Sequence, residues 1–260
     1  MAADFYSRSI KAYYDSPDVP AVYAAKSGPL DAERFILDHL AGELHGSSLL
    51  DIGVGPGRTV PFLRAACARY TGIDYSANML RLGRARHPDT DLLLCDARRL
   101  CFPAESFDAV FFCNAIDDVG HEDRLHILRE AHRVLRAPGV FVFSAHNLEA
   151  ERTSPWALPR LPASPRESAR TLGKYLTSIL RHLRLRRHQQ RGPGHAVASD
   201  GYFEYGLLTY YIARDEQLRQ LAEIGFSRVE SVGADGSLLA PGAPCRDAWI
   251  FYIARKAPSL

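Results

Sequence analysis

The sequence has no stretch of 18 or more apolar residues, and its opening, "MAADFYSRSIKAYYDS", lacks the apolar run of a secretory signal. Neither a membrane span nor a signal peptide is expected, and the chain reads as cytoplasmic with no membrane partner. Cysteines are few and odd in number (Cys67, Cys95, Cys101, Cys113 and Cys245), without the paired short spacing that zinc requires. They read as small buried hydrophobes, and no metal site is expected. Internal repeats and low-complexity tracts are absent. Neither sign of charge dominates, with 32 Lys and Arg against 30 Asp and Glu. An apolar fraction of 47% beside 24% charged residues excludes wholesale disorder and fibrous classes. The length of 260 residues suits one well-buried core with an insertion.

What the chain does have is alternation. From residue 48 to 146, short apolar runs ("SLLDIGV", "YTGIDY", "DLLLCDA", "FDAVFFCN", "VFVFSAHN") are separated by helical patterns at 57–69, 76–86 and 121–136. Such alternation predicts crossover units, hence a parallel sheet with helices on both faces. After a long interruption the pattern resumes with a helix near 214–224, a Gly225 stop, and strands near 226–232 and 247–255. The expected fold is α/β: a doubly wound, mostly parallel sheet of about seven strands. Its expected parts are an N-terminal helical lid (1–45), the core (46–146), an insertion after the fifth strand (147–206) and the C-terminal part of the core sheet (207–260). Within the lid, Phe35, Ile36, Leu40 and Leu44 share a helix face. Within the insertion, Leu172, Leu176, Ile179, Leu180 and Leu183 do the same.

The first strand ends in "DIGVGPGR", glycines at every second position running into a helix. This arrangement brings backbone N–H groups and a helix N-terminus against a ligand. A dinucleotide fingerprint would need a third glycine at position 58, where Arg58 stands instead, with Gly57 one place early. Asp51 precedes the glycines and would suit a cationic or amine-bearing ligand better than a pyrophosphate. Arg58 itself can touch a cofactor or a phosphate, or face solvent. Asp74 ends the second strand, at a distance from the glycines where an acid commonly binds ribose hydroxyls. Asp96 follows the third strand, where it can accept from an adenine amino group while Ala97 offers backbone. Three acids at the ends of successive strands address one adenosine.

On "LLDIGVGPGR", "GIDYSANML", "CDARRLCFPAESFDAVFFCNAIDDV" and "LREAHRVLRAPGVFVFSAHN" the sequence resembles the class I S-adenosylmethionine-dependent methyltransferases, in their small-molecule branch, over about residues 46–146. The resemblance implies a Rossmann-like core with S-adenosyl-L-methionine as cofactor. By that match Asp51, Gly53, Gly55 and Gly57 surround the methionine moiety and Asp74 takes the ribose. Tyr75 and Met79 flank the adenine, Asp96 and Ala97 meet its edge, and Asn114 with Ala115 lines the site after the fourth strand.

Methyl transfer from a sulfonium is an in-line displacement, so alignment and exclusion of water come first, and a base is needed only for a protonated nucleophile. The candidate base is His146, at the end of the fifth strand, where open α/β sheets place their ligands. In the loop after the fourth strand Asp118, with Asp117 beside it, is a candidate for substrate contact or a helix cap. Tyr6, Tyr14 and Tyr23 in the lid, Tyr205 in the insertion and Tyr210 just after it can line an acceptor pocket or pack the lids onto the core. The basic cluster Arg181, Arg184, Arg186, Arg187 and Arg191 reads as a solvated face, an anchor for an anionic acceptor, or a nucleic-acid contact. It has no interleaved aromatics and the chain has no room for a recognition domain, which disfavours nucleic acid. The expected activity is methyl transfer to oxygen or nitrogen of a small metabolite. A noncatalytic cofactor-binding protein or partner subunit, and an RNA methyltransferase, are the alternatives; a homodimer is compatible with either.

Overall fold

The computed structural model describes residues 10–16, 23, 27–117, 119–150, 156–199, 201 and 204–258. Strands β1 (Ser48–Ile52), β2 (Arg69–Asp74), β3 (Leu92–Leu94), β4 (Phe107–Phe112) and β5 (Leu135–Asn147) run parallel in the order β3-β2-β1-β4-β5. On the far edge of β5, β10 (Trp249–Lys256) pairs antiparallel and carries β9 (Phe226–Val232) beside it. The crossovers are α3 (Val60–Ala66), α4 (Ala77–Arg86) and α5 (His121–Val134), and α7 (Arg214–Ile224) leads into β9. The α/β class and the mostly parallel sheet are as the alternation predicted.

The central strands β1 and β4 and the second half of β5 are buried on both faces, so their side chains divide by parity. Leu50, Ile52, Ile73, Val110, Phe112, Phe141 and Phe143 form one core with Ile127, Leu128 and Ala131 of α5. Leu49, Ala109, Phe111, Val140, Val142 and Phe251 form the other. Against that second core pack α1 (Asp31–His39) and α2 (Ala41–Leu44), through Ile36, Leu40 and Leu44. Residues 10–14 are helical and put Ile10 and Tyr14 into the first core.

Local chemistry sets the element ends. Ser76 caps α4, its Oγ accepting from Met79 N at 3.3 Å. Gly225 stops α7 at φ 114°, a conformation that glycine adopts without a Cβ penalty. α5 stops at Val134, two residues short of its expected end, because Leu135 has already entered β5 in extended conformation.

Seven strands account for the sheet that the sequence predicts; three more extend it. β6 (Gln190–Gly192) and β7 (His195–Ala198) form a hairpin, and β8 (Thr209–Ile212) pairs antiparallel with β7. β8 then pairs parallel with the last two residues of β5, His146↔Tyr211 and Asn147↔Ile212. β4 ends opposite Phe143, so β8 takes its place alongside β5 above the carboxyl rim. The remaining helix, α6 (Pro165–Leu185), precedes this hairpin.

Candidate active site

The carboxyl ends of β1 to β5 surround a cavity of about 730 Å³. Its floor begins at the glycine turn. Gly53 has φ 72°, and a Cβ there would come within 2.9 Å of Ala115 Cβ and 3.1 Å of Phe112. Gly55 has φ 54°, and a Cβ there would meet nothing nearer than the Gly53 carbonyl at 4.0 Å. The first glycine lets the turn close on the fourth strand. The second leaves bare backbone facing open space, where a side chain would stand in the cavity.

Asp74 joins this turn to the second strand. Its Oδ2 accepts from Gly55 N at 2.9 Å and its Oδ1 from Ser76 N at 2.8 Å, and the residue lines the cavity. Burial pushes its pKa up to about 6, against the opposing pull of those N–H groups. Asp96 lies on the rim and accepts from Arg98 through N (2.9 Å), Nε (3.1 Å) and Nη2 (2.6 Å). Burial raises its pKa, but the Arg98 bonds outweigh that and hold it below the ordinary carboxylate value. Tyr75, Met79, Ala97, Asn114 and Ala115 line the same cavity. Asn114 turns the chain after β4 at φ 61°, a left-handed conformation that asparagine tolerates, with its N donating to Ser144 Oγ at 2.7 Å.

Two residues of the predicted set face elsewhere. Asp51 is one parity step from Ile52, so its carboxylate points into the core on the α1 side, where Thr59 Oγ1 and Tyr70 Oη donate to Oδ2 at 2.5 and 2.7 Å. Burial pushes its pKa up to about 6. It braces the turn from behind and does not line the cavity. Gly57 is also outside the lining: its carbonyl meets His87 Nε2 at 2.9 Å, and a Cβ would strike that ring. Arg58 lines the cavity and is largely covered from solvent. Its guanidinium is engaged by Glu33 through both nitrogens, at 2.7 and 2.6 Å, and by the Gly28 carbonyl at 3.0 Å. Glu33 is a buried acid that the sequence did not flag, and it also accepts from Asn114 Nδ2 at 3.4 Å.

At the opposite end of the cavity stands His146. Asp117 Oδ2 accepts from both its backbone N (2.5 Å) and its Nδ1 (3.0 Å). That contact fixes the proton on Nδ1 and makes Nε2 the basic atom. Asp117 in turn faces Arg124, whose Nε lies 3.6 Å from Oδ1; Arg124 is wholly buried and holds Gln217 Oε1 at 2.5 Å. Tyr210 N donates to the Asp117 carbonyl at 3.1 Å, so β8 pins this loop. The residue that reaches His146 is thus Asp117, the neighbour of Asp118; Asp118 and Tyr6 lie outside the described residues.

Aromatic side chains close the space above. Tyr14, Tyr23 and Tyr75 line it and meet edge to face, with centroids 5.7 Å apart for Tyr14 and Tyr23 and 6.5 Å for Tyr14 and Tyr75. Trp249 lies opposite His146 in the β10–β5 register, its ring centroid 3.7 Å from the imidazole. Tyr205 and Tyr210 do not line the cavity. Tyr205 packs against His182, and Tyr210 is fully buried beneath Arg124, with its hydroxyl 2.7 Å from His121 Nδ1.

Residues 50–143 match the model of a family described as a methyltransferase domain. The chain is 31% identical over 109 residues to the demethylmenaquinone methyltransferase of Renibacterium salmoninarum, covering 42% of this chain and 45% of that protein. It is 38% identical over 122 residues to the 27-O-demethylrifamycin SV methyltransferase of Amycolatopsis mediterranei, covering 42% and 43%. The chain thus spans less than half the length of these two relatives. Among solved structures, its fold is similar to the Burkholderia thailandensis 1,6-didemethyltoxoflavin-N1-methyltransferase, solved with its substrate and S-adenosylhomocysteine. The TM-score is 0.61 at 14% identity, covering 99% of this chain and 91% of that one.

Proposed function

From a core that is a methyltransferase domain, in a chain carrying the α/β methyltransferase fold, we propose that the protein transfers a methyl group from S-adenosylmethionine to an oxygen or nitrogen of a small molecule. The observation that carries this reading is that bare glycine backbone, the Asp74 carboxylate and the His146–Asp117 pair all line one cavity. The donor set suits the cofactor: open space above Gly55 for close approach, a carboxylate at the end of β2 for ribose hydroxyls, and Tyr75, Met79 and Ala97 for the adenine. Asp51 and Gly57 act from behind the turn rather than by contact.

Bound there, the cofactor supplies an electrophilic methyl group that an in-line nucleophile accepts. The chain's own residues do the rest. Gly53 and Gly55 admit the ligand to the backbone, and Asp74 orients it while holding the turn through Gly55 N. His146 removes the proton of the acceptor's hydroxyl or amine through Nε2, and Asp117 keeps the imidazole in that tautomer and stabilises its cation. Tyr14, Tyr23 and Trp249 exclude water and give the acceptor an apolar wall, which suits a small molecule better than RNA. In this reading the N-terminal segment is a lid, contributing Tyr14 and Tyr23. The five cysteines are all free thiols, which suits a cytoplasmic protein.

The test has two stages. Calorimetry with S-adenosylmethionine, S-adenosylhomocysteine and NAD should give heats for the first two only. Release of S-adenosylhomocysteine over a panel of phenols, carboxylic acids and amines should then identify an acceptor. Absence of S-adenosylmethionine binding overturns the proposal. Binding without turnover on any acceptor leaves the noncatalytic alternative standing in its place.

A further inference from the structure

α6 carries two exposed stripes of opposite character. It docks on the body through the side bearing Tyr175, Ile179, His182 and Leu185; His182 Nδ1 meets Ser199 Oγ at 2.9 Å, and Leu185 is buried. At about 100° per residue, Leu172, Leu176, Leu180 and Leu183 fall together on the adjoining side. All four are exposed, Leu180 by 67%. The next stripe round is Arg166, Arg170, Lys174, Arg181 and Arg184, also exposed, and Glu167 is the only acid of the helix. Trp156, Leu158 and Leu161, just before the helix, are exposed too, Leu158 by 83%.

Single exposed leucines need no explanation, but a row of four flanked by a row of five cations is the pattern of a helix lying at a lipid interface. We propose that α6 lies in the plane of an anionic lipid surface, its leucines entering the acyl boundary and its arginines and lysine reaching the headgroups. Charge complementarity selects this occupant. A second copy of the chain would bring a like cationic stripe to the contact, whereas an anionic leaflet supplies the opposite sign over the whole length of the helix. No helix among the described residues is long and apolar enough to cross a membrane. The proposal departs from the expectation of no membrane partner, which rests on the lack of a span and of a signal peptide.

The test uses the purified full chain and sedimentation with vesicles of phosphatidylcholine, with and without phosphatidylglycerol. The wild-type protein should partition onto the phosphatidylglycerol vesicles only, and less at high salt. Leu176→Ser with Leu180→Ser, which leaves the charge unchanged, should weaken partitioning by about tenfold or more. Arg170→Glu with Lys174→Glu should weaken it at least as much. Circular dichroism and the melting temperature of both variants should match the wild type, since all four side chains are exposed. Three results overturn the proposal: no partitioning of the wild-type protein; partitioning that survives the leucine changes; or a dimer in equilibrium sedimentation that those changes dissolve. None of these readouts depends on methyl transfer, so failure here and failure of the proposed function are separate events.

Discussion

Asp117 and His146 meet through one carboxylate oxygen that accepts twice from the same residue, once from its backbone N and once from its ring. The double contact fixes where the imidazole sits and which nitrogen is basic. If His146 takes the acceptor's proton, His146→Ala should lower kcat by about 10²- to 10⁴-fold and leave S-adenosylmethionine affinity nearly unchanged. Asp117→Asn should also reduce kcat, and the double variant should be no slower than His146→Ala, because the pair acts as a unit. Single-turnover formation of S-adenosylhomocysteine measures all three. Wild-type turnover by His146→Ala on an acceptor with a protonated nucleophile would remove the base from the mechanism.

Arg124 should matter for stability rather than chemistry. It is wholly buried, and Asp117 is the carboxylate that faces it, 3.6 Å from Nε. Arg124→Met keeps the stem packed near Tyr210 and Phe143 but leaves the Asp117 charge buried without its cation. Breaking a buried pair from one side costs about 3–5 kcal/mol. Chemical denaturation should show a loss of that size, and Arg124→Met combined with Asp117→Asn should recover part of it. A loss under 1 kcal/mol would mean that water or the neighbouring glutamines carry the charge.

Asp74 is expected to set cofactor affinity. In Asp74→Asn one carboxylate oxygen becomes an NH₂ group and opposes a backbone donor that it formerly accepted, either Gly55 N or Ser76 N. Hydrogen bonds to a charged group are worth about 1.5–3 kcal/mol each, so the dissociation constant should rise by about 10- to 100-fold. The pKa of about 6 adds a pH signature. If the ligand prefers the carboxylate, wild-type affinity is full above that value and falls as pH drops through it, while the Asp74→Asn profile is flatter. Titration calorimetry from pH 5 to 8 distinguishes the two, and an identical slope in both proteins would dissociate Asp74 from the ligand.

What could be read from the sequence was what local pattern determines. The apolar runs of β1, β4 and β5 are legible as strands because central strands buried on both faces are apolar throughout, and the glycine turn and Asp74 lie within one crossover unit of each other. What could not be read depended on distant pairing or on a single step of parity. The place of Asp51 just before the glycines suggests a ligand contact, yet alternation along β1 turns it to the opposite face from Ile52, against Thr59 and Tyr70. Trp249 reaches His146 only through the antiparallel register of strands a hundred residues apart. The tyrosines from 202 to 211 are visible in the sequence as a cluster, but burial under Arg124, which removes Tyr210 from the cavity, is a property of packing. β6 and β7, of three and four residues, are too short to show a period.

Asp51 yields the prediction with the sharpest sign. Its pKa stands at 3.8 ordinarily and about 6 in the fold, where burial outweighs the hydroxyls of Thr59 and Tyr70. The folded state therefore holds the proton more tightly than the unfolded chain, and between those two values it binds more protons. The stabilising contribution is complete below about pH 4 and lost as pH rises through about 6, the reverse of a salt-bridged carboxylate. A rise of about two pH units corresponds to at most about 3 kcal/mol. Asp51→Asn does not titrate and keeps an oxygen for Tyr70 or Thr59. Relative to this variant, the wild-type protein should lose stability by up to about 3 kcal/mol between pH 4 and pH 8. Urea denaturation of both proteins at several pH values reads this difference directly, because every other titrating group is common to the two. A flat difference would mean that Asp51 keeps its ordinary acidity in the fold, and one that grows in favour of the wild-type protein at high pH would mean that the hydroxyls outweigh its burial.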